Sequence, residues 1–110
     1  MHYIECTEGV RETAWSVCQW FMEEYLSDHK VYLTVEEKDL SGEGGVMGWF
    51  LTETDNEFTI QIDENLEYEY IPTLLHELYH LKQTLEGRDR NEWETFQMEG
   101  VLLDRYMNRQ

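Results

Sequence analysis

The residues of this chain whose types and spacing carry chemistry are His76, Glu77 and His80, in the pentapeptide His76-Glu77-Leu78-Tyr79-His80. On a helix, at about 100° per residue, positions i and i+4 point the same way, so the two imidazoles share one face. Zinc accepts neutral imidazole nitrogen. A catalytic zinc takes three protein ligands and keeps one position for water, whose pKa falls to about 7. Glu77 sits beside that water, where a carboxylate takes its proton during attack on a carbonyl and passes it to the leaving amine. The expected chemistry is metal-dependent hydrolysis of a peptide bond, with His76 and His80 as ligands, Glu77 as catalytic base and Zn2+ as the cofactor.

No histidine follows His80, so a third ligand from downstream is a carboxylate, and Glu92, Glu94 and Glu99 are the candidates. If one helix ends near Glu86 and the next begins near Asn91, the two form an antiparallel pair in which positions equally far from the turn lie side by side. Leu78, the midpoint of the histidine pair, then faces Glu99. Gly100 beside it lets the helices approach closely. Glu99 is therefore the first choice. Glu92, two turns earlier on the same face, is the reserve, and Glu94 points elsewhere unless the helix is rotated.

The elements that must position these groups follow from periodicity. Apolar residues at Val10, Ala14, Val17, Cys18, Phe21, Met22 and Tyr25 predict a first helix from Glu8 to about Leu26. Val31, Leu33 and Val35 alternate with polar positions and predict a half-buried strand, broken by Ser41–Gly45. Val46–Thr54 and Glu57–Asp63 predict a β-hairpin turning at Asp55 and Asn56, residues that tolerate positive φ. Pro72 suits the first turn of a second helix ending near Glu86 with Gly87 as its stop. Leu74, Leu78, Leu81 and Leu85 form the apolar face of that helix, opposite the histidines. Asp89 or Asn91 caps a third helix to about Met107, whose stripe of Trp93, Phe96, Gly100, Leu103 and Met107 reads as core. The expected fold is a single α+β domain over residues 1–110, in the order αβββαα, with a three-stranded sheet packed on the HExxH helix.

Composition narrows the partners. With 24 acidic against 8 basic residues, the formal charge of −16 disfavours nucleic acid and the anionic membrane surface and suits a basic peptide or a cation. Hydrophobic residues at 41% exclude a disordered acidic tail. Cys6 and Cys18 lie outside any CxxC pattern and read as reduced thiols. The start has no signal-peptide pattern and no stretch has the roughly 18 apolar residues of a membrane span, so a soluble, cytoplasmic protein is expected. Oligomeric state is not legible.

With HELYH followed by Glu99-Gly100 at a suitable spacing, the sequence resembles the gluzincins, zinc metallopeptidases with two histidines and one glutamate as ligands. The segment Thr73-Leu74-Leu75-His76-Glu77-Leu78-Tyr79-His80-Leu81-Lys82-Gln83 is similar to the active-site helix of short metallopeptidase-like proteins encoded by phages, and the small size is like that of the minigluzincins. The likeness spans about Thr73 to Asp104. It implies a minimal zincin-like domain and a peptide substrate extended along an edge strand above the metal, for which the hairpin supplies candidate edges. Related short proteins carry a Glu-x-Glu-Ala-like pattern that matches Glu92-Trp93-Glu94-Thr95 and keeps those glutamates in competition with Glu99.

Weaker signals remain. Tyr68, Tyr70, Tyr79 and Tyr106 are possible oxyanion donors. Gln83, one turn beyond His80, is placed to orient a ligand or simply lies exposed. His2 and His29 read as surface residues, and Ser41–Gly45 lacks the ending of a phosphate loop. A competing reading is a catalytically inactive, zinc-stabilised module, for example phage-encoded, that binds a protein partner.

Overall fold

The computed structural model describes residues 1–109. The elements are β1 (His2–Cys6), α1 (Glu12–Tyr25), β2 (Val31–Lys38), β3 (Gly48–Thr52), β4 (Glu57–Asp63), α2 (Tyr70–Leu85) and α3 (Glu92–Met107). They form a small α+β domain with one four-stranded sheet in the order β1-β2-β4-β3. β1, β2 and β4 run parallel, and β3 pairs antiparallel to β4 at one edge.

The expected αβββαα order and three-stranded sheet are thus corrected by a strand at the N-terminus. β1 offers little local signal, with Ile4 and Cys6 its apolar members on the core side. It is a strand because Val31–Val35 lies beside it as a parallel partner, a pairing fixed across a helix rather than by neighbours in sequence. The hairpin forms as expected, but its connection runs from Glu53 to Asn56 and neither Asp55 nor Asn56 takes positive φ, so it is not the tight turn expected there.

The alternating apolar residues of the strands, Val31, Leu33, Val35, Phe58, Ile60 and Ile62, are buried against Val17, Phe21 and Met22 of α1 and Leu74, Leu75, Leu78 and Leu81 of α2. Each such side chain contributes roughly 1.5–3 kcal/mol by leaving water. Both helices cover one face of the sheet, and α3 packs chiefly on α2.

α3 corrects a second expectation. Trp93, Phe96 and Met107 of the predicted core stripe are 73%, 64% and 59% exposed, and Gly100 faces open space with nothing near its absent Cβ. The face that packs carries Thr95, Leu102 and Tyr106 instead. α3 is a peripheral helix, and its apolar residues are divided between two faces, so the more aromatic stripe misleads.

The turn between α2 and α3 sets their register. Gly87 takes a φ of 71°, and its N–H and that of Arg88 bond the carbonyls of Thr84 and Gln83. This is the Schellman arrangement that closes a helix on a left-handed glycine. Asn91 then caps α3 by accepting the Glu94 N–H, with Glu92 and Glu94 in the first turn where the helix dipole favours anions.

Candidate metal centre

His76 and His80 stand on the outer face of α2 with ring centroids 4.8 Å apart. Their Nε2 atoms converge on one carboxylate. Glu92 Oε2 lies 3.2 Å from His76 Nε2, and Glu92 Oε1 lies 3.0 Å from His80 Nε2. His76, His80 and Glu92 are a group whose ligand atoms all lie within 4.8 Å of one another. Ligands about 2.0–2.1 Å from a tetrahedral zinc stand a little over 3 Å apart, so this nitrogen-nitrogen-oxygen set fits such an ion with modest adjustment.

Glu99, the first choice from sequence, is elsewhere. Its Oε2 lies 3.0 Å from Nδ1 of His76, the nitrogen turned away from Glu92. The reason is register: Asn91 lies beside Gln83, nearly a turn before Glu86, rather than beside Glu86 itself. α3 is shifted by about one turn. Glu92 and Glu99, two turns apart on one face, therefore bracket the histidines, with the Phe96 ring against His76 between them. Glu94 lies outside the site, held by Tyr79 Oη at 2.7 Å and by Arg88.

The far nitrogens of both histidines are fixed. The Gln83 amide donates to the Asn91 carbonyl, and its oxygen faces the Asn91 N–H and His80 Nδ1, the latter at 3.1 Å. That orientation makes His80 Nδ1 the donor and leaves the Nε2 lone pair directed at Glu92. Glu99 does the same for His76. Carboxylate or amide partners of this kind set the tautomer and raise ligand basicity. Burial also keeps His80 below the ordinary histidine pKa, favouring the neutral form that binds metal. Gln83 is fully buried, which settles its placement against surface exposure.

Glu77 is 7% exposed, and burial pushes its carboxyl up from 4.5 to about 7, with the nearby Arg90 charge among the opposing influences. It lies under β3 because position 48 has no side chain. A Cβ on Gly48 would stand 3.1 Å from Thr73 Cγ2, 3.2 Å from the Gln61 carbonyl oxygen and 3.3 Å from Glu77 Cγ. Sequence reading passed over Gly48; the signal available was a glycine opening a strand that otherwise reads as apolar and β-branched or aromatic.

These groups line a cleft of about 430 Å³ whose other wall is Val46–Phe50, with Arg90 at its rim. The bonds flanking the hairpin ladder, Asp63 N–H to the Met47 carbonyl and Glu53 N–H to the Glu57 carbonyl, fix its alternation. Gly48, Phe50 and Thr52 therefore turn their backbone groups to the free edge.

None of the four tyrosines considered as oxyanion donors lines the cleft. Tyr68 is 91% exposed, Tyr70 donates to Glu37, Tyr79 donates to Glu94, and Tyr106 packs under Arg109. His2 bonds the Leu26 carbonyl far from the site. Cys6 and Cys18 are free thiols. Among the described residues no helix is long and apolar enough to cross a membrane. No family model matches the chain, and no curated protein or solved structure matches it either.

Proposed function

We propose that the chain is a zinc-dependent metallopeptidase of gluzincin type, with His76, His80 and Glu92 as the ligands in place of the expected Glu99. The observation that supports it best is the convergence of two oriented imidazoles and one carboxylate beside a buried glutamate, at the foot of an open strand edge. Bound there, zinc would supply a Lewis acid for the scissile carbonyl and lower the pKa of water. Glu77 takes the proton of the attacking water and delivers it to the leaving nitrogen, a role suited to a carboxyl held near neutrality by burial. His80 stays neutral through burial, and Gln83 and Glu99 hold the ligand rings in place. A peptide lies along β3, bonding Gly48 and Phe50 as an added strand.

The test is metal analysis of chelator-free protein together with a peptide library. Near-stoichiometric zinc and cleavage that Glu77→Gln abolishes without loss of zinc are expected. Cleavage by Glu77→Gln at the parent rate would refute the mechanism. The competing reading, a zinc-stabilised binding module, draws on the exposed Phe96, which lines the cleft, and the exposed Trp93 on the same helix. It requires zinc to raise thermal stability while no peptide is cut.

A further inference from the structure

Among the described residues Arg90 is the one lysine or arginine that lines the cleft. The chain has 24 acidic residues against 8 basic ones; Arg11 pairs with Glu37 and Arg88 with Glu86 and Glu94, while Arg105 donates to the Tyr25 hydroxyl. Among the described residues Arg90 makes no ion pair. Its guanidinium leans over the Phe50 ring, 5.7 Å from the centroid, and donates a long bond of 3.4 Å to the Phe50 carbonyl. That carbonyl is the middle one of the three free-edge positions Gly48, Phe50 and Thr52, so Arg90 stands beside the open edge along which an added peptide strand would pass. A guanidinium has five donors in a planar fork that matches a carboxylate, and one weak bond leaves most of them for a ligand.

We propose that Arg90 is a carboxylate-recognition residue, and that the cleft selects peptides carrying a carboxylate beside Phe50 of β3. The carboxylate belongs either to the peptide's C-terminus or to an Asp or Glu side chain. The inference rests on the reading that the cleft takes peptides, and it refines the expectation of a basic partner. The −16 charge acts at long range and is screened within about 8 Å at physiological salt, whereas Arg90 acts in contact. Two contacts place it: the guanidinium lies over the Phe50 ring, and the Phe50 carbonyl accepts one long bond from it.

The experiment is a binding titration on the full chain carrying Glu77→Gln, with zinc and after chelation, using acetylated pentapeptides in matched pairs. One pair differs as C-terminal carboxylate against carboxamide. The other, amidated, differs as internal Asp against Asn. In one pair the acid should bind about tenfold more tightly than its neutral twin, the magnitude of a charge-assisted fork. Preference in the first pair assigns the chain terminus, and in the second a side chain. Arg90→Ala should abolish the preference, and Arg90→Lys should keep part of it, retaining charge without the fork. Equal binding of acid and amide, no binding of any peptide, or a preference that survives Arg90→Ala overturns the proposal, the last because zinc itself would then be holding the carboxylate. No turnover is needed. An Arg90-dependent preference in a chain that cuts nothing would defeat the peptidase reading alone, and cleavage with no such preference would defeat this one alone.

Discussion

Glu77 should weaken the metal-free protein, and the pH dependence of that weakness is its signature. Its carboxyl titrates near 4.5 in the unfolded chain and at about 7 in the folded one, because burial disfavours the anion. Between those values the folded protein holds a proton that the unfolded chain has released, so stability falls as pH rises through this window. Below about pH 4.5 both states are protonated and the cost vanishes. Above about pH 7 it is complete. The two values differ by 2.5 pH units, which at ~1.4 kcal/mol per unit is a penalty of about 3 kcal/mol. Glu77→Gln removes the charge at nearly constant size. In urea denaturation of chelator-treated protein at pH 8, the variant should be more stable than the parent by about 3 kcal/mol, or on the order of 10 °C in melting temperature. The gap should narrow through pH 6 and close by about pH 4.5. Equal stability at pH 8, or a gap that does not change with pH, would show that Glu77 is not held as an unfavourable buried anion.

Glu92→Ala should abolish zinc binding, whereas Glu99→Ala should retain it with affinity reduced by roughly 10–100-fold, as for loss of a residue that orients a ligand; competition with a fluorescent chelator separates the two. Gly48→Ala should destabilise the fold by roughly 1–3 kcal/mol, since the new methyl meets Thr73, Gln61 and Glu77, and should displace Glu77 enough to lower turnover in a cleavage assay. Asn91→Ala should cost about 1 kcal/mol through loss of the cap, visible as a lower urea midpoint with unchanged slope.

The helix bearing His76, Glu77 and His80, its glycine stop and the hairpin were legible because each is written in local periodicity and turn chemistry. What escaped depends on contacts between distant segments. β1 is defined by its partner Val31–Val35. The choice of Glu92 over Glu99 turns on where Asn91 docks along α2, a one-turn question that helix periodicity cannot answer, because both glutamates lie on the same face. The outer stripe of α3 was misread because its aromatic residues outweigh the smaller Thr95 and Leu102 that pack. Arg90 has no motif at all; its place at the cleft follows from the fold of a short turn.

The peripheral seat of α3 has a consequence for how the protein opens. Two members of the candidate metal group stand on a helix packed into the core, and the third stands on a helix that leans chiefly on that one partner. An ion shared among them would fasten the outer helix to the body of the protein, and its removal would withdraw that fastening from one element while leaving the sheet untouched. Amide hydrogen exchange should therefore quicken selectively across Glu92–Met107 when zinc is stripped, with the strands keeping their protection. The metal-free protein would then be one in which this wall of the cleft swings, and the affinity for metal would include the work of holding it shut.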